Sequence, residues 1–126
     1  MEVILTSKES VQTSTPATLA QIERAEQQLG TTFASDYRQY LAEYGRLSYG
    51  SHEWTGITDI KRLDVVAVTQ DLRPSYQVPS DWYVVEDTYF ETLVVWQAPT
   101  AEVYLVGMMA QPQKIADSLV DYLQQD

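Results

Sequence analysis

Read from the amino terminus, apolar side chains recur first at helical spacing and later at strand spacing. Val3-Ile4-Leu5 predicts a short opening strand, and the mostly polar residues 6–15 after it read as a connector. Thr15-Pro16 predicts a helix start, a hydroxyl at the cap followed by proline in the first turn. Leu19, Ile22, Ala25 or Glu26, and Leu29 follow at helical spacing until Gly30 supplies the stop. That stripe should face a core while Gln21, Glu23, Arg24, Gln27 and Gln28 face water. A second helix is expected with Ser35 as its cap and Asp36 in its first turn, where the helix dipole favours an acid. Tyr37, Tyr40, Leu41 and Tyr44 fall on one face of it, and Gly45 terminates it. A stripe of three tyrosines can serve as a ligand-stacking platform, but core packing with the hydroxyls reaching the edge is the favoured reading.

The middle of the chain is less regular. Leu47-Ser48-Tyr49 and Trp54-Thr55-Gly56-Ile57 read as short strands around a Gly50-Ser51-His52-Glu53 turn. Asp64-Val65-Val66-Ala67-Val68-Thr69 is open between two states. Its β-branched residues favour a strand, whereas a capping Asp64 and the stop at Arg73-Pro74 favour a helix. Trp82-Tyr83-Val84-Val85, Thr92-Leu93-Val94-Val95-Trp96 and Val103-Tyr104-Leu105-Val106 predict strands of one antiparallel sheet. Glu86-Asp87 and residues 97–101 are expected as turns. Pro112 is expected to open a final helix with Ile115, Ala116, Leu119, Tyr122 and Leu123 on its inner face. The order predicts an α+β fold, helices packed on one mainly antiparallel sheet. At 126 residues, residues 1–126 are expected to form a single domain.

Charge changes the picture more than composition does. Eight basic and 18 acidic residues leave a net charge of −10, distributed unevenly. Residues 1–62 carry six bases against eight acids, a net −2, whereas residues 63–126 carry two bases against ten acids, a net −8. Such a field repels nucleic-acid phosphates and anionic membranes and attracts a basic protein, although acidity also serves plain solubility. No basic run precedes a long apolar stretch, and nowhere do about 18 apolar residues run together. With no cysteine present, a cytoplasmic location is the expectation.

Catalytic patterns are sparse. Ser51-His52-Glu53 contains the residue types of a hydrolase triad, but three adjacent residues cannot form its hydrogen-bonded relay. The five glycines match no phosphate-cradling loop, and a single histidine without cysteine cannot close a zinc site. The acids Asp81, Glu86, Asp87 and Glu91 do not follow calcium-loop spacing, though paired carboxylates keep a hydrolase reading open. No enzyme activity, cofactor or metal is expected. The same residues suit a binding surface better. Glu86, Asp87, Glu91, Asp81, Tyr89, Tyr49, Glu53 and Trp54 combine aromatic anchors with an acidic rim, the charges expected to matter more than the rings.

The stretch from Ile22 to Leu41 resembles the opening signature of the SMI1/KNR4 (SUKH) superfamily. Ile22, Glu26, Leu29, Gly30, Asp36, Tyr37 and Leu41 match it, and Phe33-Ala34 replaces the usual Leu-Pro step. Tyr44-Gly45, Tyr49-Gly50, Trp82 to Asp87, Val103-Tyr104 and the segment Ile115 to Leu123 are similar to later parts of the same pattern, so the resemblance covers about residues 18–123. The branch of YobK-like antitoxins is the nearest in pattern. The resemblance implies an α+β fold and, in bacteria, immunity through binding a cognate polymorphic toxin, often a nuclease, with no catalytic residues. The alternative it admits is a non-enzymatic scaffold or regulator, as in the superfamily's cell-wall-related members.

Overall fold

The structure, a computed structural model, describes residues 1–125. The expected opening strand is instead a single helical turn, α1 (Glu2–Leu5). The Thr6 and Ser7 hydroxyls donate to the carbonyls of Val3 and Ile4, satisfying the end of this turn locally in place of a neighbouring strand. A two-residue strand, β1 (Gln12–Thr13), forms from the polar connector.

Helix α2 (Leu19–Leu29) begins later than Thr15-Pro16 suggests. Its cap is Thr18: the Thr18 hydroxyl accepts from the Gln21 N–H at 3.1 Å, and the Gln21 side chain accepts from the Thr18 N–H at 2.9 Å. The preceding segment is held in the loop by Ala17 N–H donating to the Leu41 carbonyl. The later start leaves Leu19 61% exposed, so the buried stripe is Ile22, Ala25 and Leu29. Gly30 closes the helix in the left-handed conformation. Helix α3 (Ser35–Tyr44) is capped at Ala34, not Ser35, and no side chain of its own completes that cap. Instead the Ala34 N–H donates to the Tyr83 hydroxyl at 2.9 Å. Tyr37, Tyr40 and Leu41 are buried as the stripe predicts.

The strands form two sheets where one was expected. In the smaller, β1, β2 (Leu47–Tyr49) and β3 (His52–Glu53) pair antiparallel in that order. Trp54 to Ile57, expected as a strand, runs irregularly because Thr55 is claimed from several directions. Its N–H donates to the Val85 carbonyl at 2.7 Å, its hydroxyl donates to the Val84 carbonyl, and its own carbonyl accepts from the Tyr40 hydroxyl. At Gly56 the backbones approach so closely that any side chain would collide with the Gly45 carbonyl.

Residues 65–72 resolve to helix. Asp64 caps α4 (Val65–Leu72) by accepting from the Ala67 N–H, while Val65, Val68 and Thr69 turn inward. The larger sheet is antiparallel, ordered β4 (Tyr83–Phe90), β5 (Leu93–Gln97), β6 (Val103–Val106) and β7 (Gln113–Ala116). Glu86 and Asp87, expected at a turn, pair with Val95 and Val94 inside β4, following a register shift between Val84 and Glu86. The long final helix is likewise corrected. The chain after Pro112 pairs with the open edge of β6 as β7, and only then does Ser118 cap the short α5 (Leu119–Gln124).

This sheet is covered on both faces, which explains its continuous apolar runs. Tyr83, Val85, Val95 and Val103 join a core with Ile22, Leu29, Tyr37, Leu41, Leu119 and Leu123. Val84, Val94, Trp96 and Val106 join another with Val68, Tyr76, Trp82 and Ala98. The adjacent Trp82 and Tyr83 therefore serve opposite faces.

Candidate protein-binding surface

Three of the residues read as surface contacts lie in the interior. Trp54, Tyr49 and Glu86 are 0%, 2% and 3% exposed. Trp54 packs edge-on against Tyr40 and Tyr49 and stacks with Tyr122, so its bulk belongs to the core. Glu86 lies where β3 meets β4, and its charge is met by convergent donors. The Tyr122 hydroxyl donates to Oε1 at 2.6 Å, His52 Nδ1 lies 3.0 Å from Oε2, and the Glu53 N–H reaches Oε2 at 3.3 Å. Tyr49 stacks on the imidazole with centroids 4.9 Å apart. A carboxylate so enclosed costs several kcal/mol unless bonded in this way, which makes it a structural joint between the sheets. Nothing in the one-dimensional pattern links Glu86 to His52 or Tyr122, 34 and 36 residues away.

The remaining acids are dispersed. Glu53 accepts a bidentate pair from Arg62 at 2.8 and 3.1 Å, and the guanidinium holds its carboxyl below the usual carboxylate range. Asp81 is exposed beside an open groove of about 650 Å³ that it shares with Glu23 and Glu26. Glu26 there is occupied by Arg38 and by the Phe33 N–H. Asp87 is half-buried, and its Oδ1 accepts from the Tyr89 N–H at 2.9 Å. Only Glu91 projects from the β4–β5 turn as the charge pattern suggests.

Where the acids turn inward, apolar side chains turn outward. Tyr89 and Phe90 at the tip of the β4–β5 hairpin are 63% and 61% exposed. Met108 and Met109, in the loop between β6 and β7, are 46% and 84% exposed. The sequence signal for the methionines is the Gly107-Met108-Met109-Ala110-Gln111-Pro112 loop itself, an apolar pair bounded by loop-forming residues. The two loops are neighbours. Thr92 Oγ1 accepts from the Met108 N–H at 3.4 Å, and the Tyr76 hydroxyl anchors the hairpin by donating to the Thr92 carbonyl at 2.6 Å.

Among the described residues no group of three His, Asp or Glu is placed to hold a metal ion. No helix among them is long and apolar enough to cross a membrane. The arrangement places an apolar end of the larger sheet on an acidic molecule. No curated protein matches the chain. The family described as SMI1-KNR4 cell-wall matches residues 2–125. With nearly its whole length covered and an α+β architecture to suit, the chain belongs to the SMI1/KNR4 (SUKH) superfamily.

Proposed function

We propose that this protein is an immunity protein that binds and neutralises a cognate bacterial polymorphic toxin domain, of the nuclease kind. The observation that carries the reading is a net charge of −10 on a chain of this superfamily. A nuclease must present basic surface to nucleic acid, and an acidic protein is drawn to that same surface. The grouping of carboxylates that kept hydrolysis open loses support. Glu86 is enclosed by Tyr122 and His52, and Asp81 and Asp87 border different clefts.

The test is to look for a toxin domain among the genes beside this chain's own and to co-produce the one found there, reading cell survival and the association rate of the purified pair. Opposite fields raise association rates and make them salt-sensitive, because screening at 0.15 M acts over about 8 Å. Asp81→Lys with Glu91→Lys should slow association at low salt and leave the fold intact. Single exposed pairs contribute only about 0–1 kcal/mol, so the changes are combined. Glu86→Lys is a folding probe and not a recognition probe, since it replaces the enclosed carboxylate by an ammonium that cannot accept from the donors around it. A cell left unprotected by the wild-type chain, with no complex formed, would refute the reading. The family's cell-wall description favours the second reading, a non-enzymatic scaffold or regulator, and a gene neighbourhood without a toxin would support it.

A further inference from the structure

We infer that the tip of the β4–β5 hairpin and the adjoining β6–β7 loop together form the docking surface for the toxin domain, recognised chiefly through Tyr89, Phe90, Met108 and Met109. The inference rests on the immunity reading and gives it a location. Of eight large hydrophobic residues exposed among those described, these four gather at one end of the larger sheet. Phe90 pairs with Leu93, and a Leu93 methyl borders Gly107 across the next strand, so one surface carries both loops. The largest apolar patch on a monomer, on the order of a few hundred Å², is often a functional site, and aromatic residues with methionine are the types enriched in interfaces.

Backbone conformation supplies an independent observation. Tyr89, Glu91, Thr92 and Met109 have φ of 55°, 51°, 60° and 61°, four of the six non-glycine residues with positive φ among those described. Glycine or asparagine would occupy such positions at less cost. A turn that only reversed the chain would have no use for tyrosine, threonine and methionine there, and strain of this kind gathers at functional sites. The loops are also held in place before any partner arrives. The Thr88 hydroxyl donates to the Leu93 carbonyl at 2.7 Å, the Asp87 carboxylate accepts from the Tyr89 N–H, and Tyr76 and Met108 hold Thr92. Preorganisation lowers the ordering cost of binding.

Charge selects the occupant. Between Arg73 and Lys114 the chain has no basic residue and five acids. Tyr89 borders a cleft of about 330 Å³ lined also by Lys61, Arg62, Asp71 and Asp87; with Arg62 held by Glu53, the acids around it outnumber the bases, and Glu91 adds another at the tip. A second copy would bring another charge of −10 against this one, whereas a basic protein is attracted to it.

The experiment uses the full chain and the isolated toxin domain identified by the co-production test. Hydrogen exchange should show protection on complex formation in residues 87–93 and 106–111. Phe90→Ala and Met109→Ser should each weaken binding at least tenfold with an unchanged melting temperature, as expected of central apolar anchors. That loss should persist in high salt, while the effect of Glu91→Lys should fade. Full affinity in both apolar variants, or protection confined to the groove beside Glu23, Glu26 and Asp81, would overturn this surface and leave the immunity reading standing. Absence of any wild-type complex would overturn both. Concentration-dependent dimerisation abolished by Phe90→Ala would replace the toxin by a second copy and equally overturn the inference.

Discussion

Replacing Tyr83 by phenylalanine removes one oxygen atom, and the structure says how much that oxygen matters. The side chain is fully buried, with its ring edge-on to Phe33 at 4.8 Å and tilted against Tyr37 at 4.9 Å, contacts that phenylalanine keeps. The hydroxyl accepts from the Ala34 N–H at 2.9 Å and donates to Gln97 Oε1 at 2.7 Å. Gln97 in turn donates through Nε2 to Asp36 and to the Ala101 carbonyl, and Asp36 accepts from the Leu119 N–H at 2.9 Å. One polar chain thus ties the starts of α3 and α5 to β5. Without the hydroxyl, a buried N–H and a buried amide oxygen lose their partners, each at about 1–3 kcal/mol, so Tyr83→Phe should cost about 2–6 kcal/mol. That is a large part of the roughly 5–15 kcal/mol by which a domain is stable, and should lower Tm by about 8–24 °C. Urea denaturation and thermal melts measure it. The control is Tyr104→Phe, half-buried and stacked on Trp82 at 4.2 Å, which should change stability by less than about 0.5 kcal/mol. A similarly small change in Tyr83→Phe would refute the reasoning, because it would mean that the amide and carboxamide groups find other partners.

Two further outcomes follow from the same core. Burial pushes the phenols of Tyr37, Tyr40 and Tyr83 well above their ordinary value near 10, so the folded chain keeps protons that the unfolded chain releases in alkali. Their contribution is fully present below pH 10 and declines above it, by up to about 4 kcal/mol per pH unit for the three together. Urea midpoints measured from pH 8.5 to 11, with tyrosinate absorbance, should reveal this fall, and a flat profile would contradict it. Leu29→Ala and Leu41→Ala, at sites 3% and 0% exposed, should each cost about 2–5 kcal/mol, whereas Leu19→Ala, at a site 61% exposed, should cost under about 0.5 kcal/mol by denaturant titration. Equal costs at all three would mean that the buried stripe of α2 is wrongly placed.

The residues legible in the sequence are those whose partners lie within a helical turn or along one strand. Ile22, Leu29 and Gly30 needed no knowledge of the rest of the chain, nor did the tyrosine face of α3 or the valine-rich strands, although the same spacing also draws in the exposed Leu19 and leaves Ala25 and Glu26 as alternatives. The superfamily was legible for a related reason, since its pattern is written in these local elements. Distant groups decided the rest. Val3 to Leu5 have strand-forming side chains but close into a helical turn, and the chain from 113, expected as helix, becomes β7 because β6 offers an edge there. Glu86 and Asp87 read as a turn because carboxylates shun the interior. His52, Tyr122 and the Glu53 N–H, brought in from other elements, make Glu86's burial tolerable. The candidate surface inverted for the same reason. Acid content in a sequence reports charge and not exposure. Which charges are absorbed, and which aromatic rings stand out in their place, is settled by the pairing register of β4 and β5.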